Sequence, residues 1–172
     1  MDQLVSVFES ENIRYVPVSE RLVPDYLNMV NDIEHVGRFI VIRTEPVSEE
    51  KELRWVREKR EEQALLFSML DKRSGAFIGN VELMDPADSR AELGIAITAK
   101  MQDRGYGTEA VRAVVAYGME KLGLRRIFLK VYPDNARAIR CYEKCGFREY
   151  DRTDEDVFME ITGEDGEKGR SL

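Results

Sequence analysis

The period of the hydrophobic pattern changes abruptly between residues 91 and 122, and that change limits what the chain can build. Over Ala91 to Ile97, the bulky Leu93, Ile95 and Ile97 alternate with Glu92, Gly94 and Ala96, which predicts a strand with one bulky and one small face. Further on, Val111, Val114, Val115, Gly118, Met119 and Leu122 recur at three and four, the period of a helix with one buried stripe. Gly123 stands where such a helix stops. Between the two lies Gln102, Asp103, Arg104, Gly105, Tyr106, Gly107, Thr108. Glycines let a backbone turn tightly and approach a ligand, and the free amides of a helix start attract phosphate. A pyrophosphate fits such a loop; a glycine turn that only connects strand to helix is the plainer alternative at these residues taken alone.

The flanking segments predict a mixed α+β domain. Ile13 to Val18 reads as a first strand, and Pro24 with Asp25 as the first turn of a helix carrying Tyr26, Leu27, Val30 and Ile33. Ser48, Glu49 and Glu50 start a charged second helix that runs to about Gln63, with only Leu53, Trp55 and Val56 to bury. Ala64 to Leu70 and Ala76 to Leu83 read as a hairpin across the Asp71 to Gly75 turn, and Asp85 to Arg90 as the next turn. Ile127, Leu129 and Val131 mark another strand, Asn135 caps a helix ending at Gly146, and Phe147 to Tyr150 and Val157 to Ile161 are the last strands. One domain is expected over residues 1–162, with residues 163–172 a polar, flexible tail.

Composition narrows the class of function. The 172 residues are 43% hydrophobic and 34% charged, enough apolar material for one core and too much for a disordered polyelectrolyte. Lys and Arg total 26 against 33 Asp and Glu, a formal charge of −7, which disfavours bulk attraction to nucleic acid or anionic lipid. Nine of the 33 acidic residues lie in the second helix and the tail. No apolar run approaches the roughly 20 residues that span a bilayer, and residues 1–12 lack the charged and apolar regions of a signal peptide. A cytoplasmic protein, with no membrane or nucleic-acid partner, is expected. Cys141 and Cys145 stand four apart on a helix, out of easy disulfide geometry, and with the single His35 they give no metal-site spacing. No metal is expected.

Other nucleotide loops fit poorly. Gly105, Gly107 and Ala110 satisfy G-x-G-x-x-G/A, but several residues separate Ile97 from the first glycine and too little chain remains for the parallel strands of a dinucleotide fold. A Walker A loop needs Gly-Lys-Ser/Thr, and Gly107 is followed directly by Thr108. The run Gln102-x-x-Gly105-x-Gly107 opening a helix instead resembles motif A of the GCN5-related N-acetyltransferases, Q/R-x-x-G-x-G/A. Downstream, Asn135, Ala136, Ala138, Ile139, Tyr142, Glu143, Lys144, Gly146 and Phe147 resemble the N-x-x-A-x-x-x-Y-x-K-x-G-F block of the same family. The resemblance covers Ile13 to Ile161 in element order and reaches motif level from Ala91 to Phe147; the polyamine and ribosomal-protein branch is the most similar.

The resemblance implies a mostly antiparallel sheet, splayed centrally and flanked by helices, with the pantetheine arm of acetyl-CoA in the gap. Ile95, Ala96 and Ile97 would offer backbone groups to the arm, and Gln102 to Thr108 would hold the pyrophosphate. Asn135, Ala138 and Tyr142 fall at i, i+3 and i+7, on one helix face. By resemblance, Asn135 bonds the pantetheine and Tyr142 stands by the thioester sulfur, where a phenol of ordinary pKa about 10 can protonate a leaving thiolate. A core tyrosine bonded to backbone is the alternative. The acceptor is expected to be a primary amine of a small molecule or a protein N-terminus, and Glu92, on the small face with Gly94 and Ala96, is the candidate base. A CoA or acyl-CoA-binding regulatory module without turnover is the rival reading. A homodimer is expected to form, if at all, through an edge strand at Val157 to Ile161.

Overall fold

A computed structural model of the chain describes residues 3–40 and 45–163. Its centre is an eight-stranded sheet in the order β1-β2-β3-β4-β5-β6-β8-β7. The strands are β1 (Phe8–Glu9), β2 (Ile13–Pro17), β3 (Leu65–Asp71), β4 (Phe77–Ala87), β5 (Arg90–Ile97), β6 (Arg126–Val131), β7 (Arg148–Arg152) and β8 (Val157–Thr162). Every neighbouring pair is antiparallel except β5 with β6. The helices are α1 (Val23–Val30), α2 (Glu49–Glu61), α3 (Tyr106–Glu120) and α4 (Ala136–Lys144).

Alternation along the strands divides the core between the two faces. Tyr15, Phe67, Met69, Leu83 and Leu93 turn toward α3 and α4, where Val111, Val114 and Tyr142 meet them. Val16, Leu66 and Leu70 turn the other way, toward Tyr26 and Met29 of α1 and Val56 of α2. Gly118 brings α3 close, because a Cβ there would lie 3.1 to 3.2 Å from Leu124, Ile127 and Leu83. The charged α2 starts on Ser48, whose hydroxyl accepts from the Lys51 amide, and buries Val56 and also Glu52.

Several boundaries differ from the expectation. α1 stops at Val30, because the Asn31 side chain is held by the backbone of Val47 on both its amide nitrogen and oxygen; Ile33 lies beyond the helix and is exposed. β4 continues through Pro86 to Ala87 by way of a register shift after Met84, so the turn is confined to Asp88 and Ser89, both at positive φ. Leu122 lies past the end of α3 and is exposed. Val157 to Ile161 is not an edge: β8 pairs with β6 on one side and β7 on the other, so the edge on this side is the wholly exposed Arg148–Arg152. The premise for pairing across a dimer through β8 is therefore removed. Residues 164–172 of the expected tail lie outside the described residues. Among the described residues no helix is long and apolar enough to cross a membrane.

Candidate active site

The two edges of β5 are paired very differently. Against β4 the register runs from Gly79↔Ile97 to Ala87↔Arg90. Against β6 it covers only Arg90↔Arg126, Ala91↔Ile127 and Glu92↔Phe128, after which β6 continues with β8 alone. The sheet therefore forks from Leu93 onward. Ala91 and Leu93 are buried, whereas Gly94, Ile95, Ala96 and Ile97 are each only half-buried, although β5 is a central strand. Unpaired backbone in the middle of a sheet is costly unless something else bonds it.

Strand alternation assigns that open edge. The Thr98 amide donates to the Ile78 carbonyl, and the Ala96 carbonyl packs against Gly79, so these groups face β4. Ile95 and Ile97 accordingly turn their amides and carbonyls to the gap, and Ala96 does not. Of the three residues expected to pair with a pantetheine arm, two share the open edge. The third, Ala96, turns its backbone to β4.

The loop after β5 is shaped by two left-handed residues, Asp103 at φ 59° and Gly105 at φ 86°. Gly105 is the N-cap of α3 and supplies no side-chain cap, so the first amides of the helix are left to an outside acceptor. Gly107 lets the first turn sit against β5 and α4, since a Cβ there would be 3.3 Å from Ile97 Cδ1 and 3.6 Å from Cys141 Sγ. Tyr106 is turned to another task, donating its hydroxyl to Asp71 at 2.9 Å. Gln102 donates its amide to the Ile97 carbonyl at 2.9 Å and to the His35 carbonyl at 3.3 Å. Arg104 is exposed beside the helix start.

On α4, Asn135 caps the helix, its side-chain oxygen accepting from the Ala138 amide at 3.3 Å, which leaves its amide nitrogen for a ligand. Tyr142 is 8% exposed, and its hydroxyl has no hydrogen-bond partner among the described residues. No fully buried side-chain oxygen or nitrogen among them lacks a partner, so this hydroxyl reaches open space. Burial pushes the phenol above its ordinary pKa, and the Cys141 and Cys145 sulfurs add in the same direction, so it stays a proton donor. The Cys141 sulfur lies 3.6 Å from the Thr108 hydroxyl, and the Cys145 thiol donates to the Thr108 carbonyl at 3.6 Å. The contact between the two sulfurs holds Cys141 low and pushes Cys145 up.

Glu92 sits at the fork, paired across to Met84 and Phe128, on the α1 and α2 face with Gly94 and Ala96. Tyr142 belongs to the core on the α3 and α4 face, so Glu92 and Tyr142 lie on opposite faces of the sheet. His35 bonds Asp32 at 2.9 Å and is exposed. A pocket of about 480 Å³ lies between Arg38, Phe39, Tyr132, Pro133, Asp134, Asp154 and Glu155, beginning one residue before Asn135. Among the described residues no group of His, Cys, Asp or Glu could hold a metal.

Three residues of the site escape the sequence motifs. Arg137 donates to Gln102 at 2.5 Å and lies 3.6 Å from Asp103, tying α4 to the loop across the gap. A cation in the first turn of a helix opposes the dipole, and that misfit was its only sequence signal. Glu109 accepts from the Ser10 hydroxyl and from both nitrogens of Asn12, anchoring α3 to the β1–β2 turn. Burial works against its charge, but these hydrogen bonds outweigh it and hold the carboxyl below its ordinary value. Glu82, in β4, stands opposite Gly94.

The chain and its fold have relatives among known proteins. Residues 12–148 match the acetyltransferase (GNAT) domain family. An uncharacterised N-acetyltransferase, p20, of Bacillus licheniformis is 32% identical over 90 residues, 51% of each chain. A spermidine N(1)-acetyltransferase of Vibrio cholerae is 32% identical over 84 residues, 48% of this chain and 49% of its own. The match thus spans about half the length of these curated relatives. Among solved structures, a Vibrio cholerae spermidine N-acetyltransferase in complex with CoA and spermine superposes with a TM-score of 0.81 at 20% identity, covering 90% of this chain and 98% of that one. A GNAT-family acetyltransferase from Bacillus anthracis gives 0.80 at 19% identity, covering 91% and 98%. At those identities the structural likeness speaks for the fold, and the family match over residues 12–148 decides the rest: the chain belongs to the GCN5-related N-acetyltransferase (GNAT) family.

Proposed function

We propose that the protein is an acetyl-CoA-dependent N-acetyltransferase that passes the acetyl group to a primary amine of a small molecule or a protein N-terminus by direct attack in a ternary complex. The observation that carries this reading is the fork: a central strand whose Ile95 and Ile97 backbone groups face a gap, beside an uncapped helix start. Acetyl-CoA supplies an activated acyl thioester. Ile95 and Ile97 align the arm as a missing strand would, the Asn135 amide nitrogen bonds it, and the Gly105 to Thr108 amides take the pyrophosphate. Gln102, Asp103 and Arg137 brace that loop, and Ala138 leaves room on the α4 face.

An alkylammonium of pKa about 10.4 sacrifices roughly 4 to 5 kcal/mol of reactivity at neutral pH by being protonated. Glu92, where the β5–β6 pairing ends, takes that proton, directly or through water. The freed nitrogen attacks the thioester carbonyl, a backbone amide steadies the oxyanion, and the C–S bond breaks. Tyr142 delivers its proton to the departing thiolate, the second proton of the attacking nitrogen passes through water to restore the phenol, and the neutral amide and free CoA thiol result. The neighbouring pocket carries Asp134, Asp154 and Glu155 against Arg38, whose guanidinium lies 4.3 Å over the Phe39 ring, and this acidic balance beside the Tyr132 ring suits an acceptor that arrives as a cation.

The test is release of free thiol from acetyl-CoA across polyamines, amino acids, aminoglycosides and peptides. Wild-type protein is expected to release thiol only with an amine present, and Tyr142→Phe to lower kcat about 100-fold with KM little changed. Because the phenol is raised above its ordinary value, the kcat it supports persists to at least about pH 10. Stabilisation by acetyl-CoA with no thiol released by any amine would leave a CoA-binding regulatory module instead. Full activity in Tyr142→Phe would assign the proton donor elsewhere.

A further inference from the structure

We propose that Glu82 is the carboxylate that receives the ammonium end of the acceptor over Gly94, and that Lys59 fills this place in the free protein, so the acceptor enters by exchanging one alkylammonium for another. The inference rests on the acetyltransferase reading and concerns the acceptor side of the same gap. Glu82 and Gly94 are direct cross-strand partners, so their side chains leave the sheet on the same face. Gly94 has no side chain, and it lies two residues past Glu92, where pairing with β6 ends. Glu82 therefore shares a face with Glu92 beside the end of the β5–β6 pairing, with the flexible Met84 tip lying over Gly94. The methyl tip of Met84 lies 3.1 Å from where a Gly94 Cβ would stand, adding a flexible apolar surface beside the carboxylate. Carboxylate and thioether together suit an aliphatic ammonium.

Such a group is already there. Lys59, in the last turn of α2, reaches down to the sheet and places its ammonium 3.3 Å from the Glu82 carboxylate. The pair is mostly buried, at 27% and 20% exposure of the two side chains, so the Glu82 carboxylate is partly desolvated and calls for a cationic partner, whether Lys59 or an incoming ammonium. Lys59 also has a second carboxylate to move to, since Glu62 lies 3.9 Å away in the same helix turn. Displacement by an acceptor thus leaves no cation stranded. A purely structural ion pair predicts that removing either partner acts in the same direction; a self-occupied binding site predicts opposite signs.

The experiment is calorimetric titration of 1,4-diaminobutane into the CoA-saturated protein, for wild type, Lys59→Met and Glu82→Gln. Lys59→Met is expected to tighten diamine binding about 2- to 5-fold by removing the internal competitor. Glu82→Gln is expected to weaken it by about 10-fold or more, because a charge-assisted hydrogen bond becomes a neutral one. CoA affinity, measured on the same samples, stays unchanged in both and certifies the fold. Equal or same-direction shifts in the two variants, or no diamine binding by wild type and Lys59→Met alike, overturn the proposal. Opposite shifts without thiol release would instead support this site and overturn the acetyltransferase reading alone.

Discussion

The two edges of β5 are made by the same eight residues and do opposite things. Toward β4 the strand is paired along its length, and Gly79 allows an approach so close that a Cβ there would sit 2.0 Å from the Ala96 carbonyl. Toward β6 it is paired at three positions and then left open. The closed edge holds the sheet together across its middle; the open one is a ready-made place for a ligand that can mimic a strand. Keeping both on one strand means that the binding edge inherits its rigidity from the edge behind it.

That division predicts that substitutions at the two edges separate into stability effects and binding effects. The largest is on the closed side: Gly79→Ala forces β4 from β5 against backbone, and is expected to cost about 3 kcal/mol in denaturant unfolding. A stable Gly79→Ala protein with normal unfolding would break the comparison. On the open side, Gly105→Ala introduces no clash, because nothing lies within 4 Å of the new Cβ, but holds a non-glycine residue at φ 86°. Its expected cost is smaller, about 1 to 2 kcal/mol, and its signature is a raised KM for acetyl-CoA as the loop relaxes. Equal effects on KM for Gly79→Ala and Gly105→Ala would erase the distinction.

The sequence made the strand–loop–helix unit legible because its signals are local: a period of two, then glycines, then a period of 3.6. The Asn135 cap is legible from its residue type ahead of a helical run, and helix spacing puts Asn135, Ala138 and Tyr142 on one face. What stayed hidden depends on pairing between distant segments. That β8 is interior and β7 the edge is decided by a crossover that neither strand encodes. That Ala96 turns its carbonyl to β4 while Ile95 and Ile97 face the gap is decided by register, which one residue of slippage would invert. Arg137, Glu109 and Glu82 were missed for the same reason, since each acts on a residue more than ten positions away. Pro86 concealed the length of β4, because a bulge accommodates a proline that ordinary pairing would reject.

The central claim is that acetyl-CoA takes the place of the missing strand beside β5. Amide hydrogen exchange, followed residue by residue by NMR with and without acetyl-CoA, tests it most directly. The account predicts that the Ile95 and Ile97 amides slow by about tenfold or more on binding, while Gly94 and Ala96, already turned to β4, change little. Binding of acetyl-CoA that leaves Ile95 and Ile97 exchanging as before, or that slows all four alike, would contradict it.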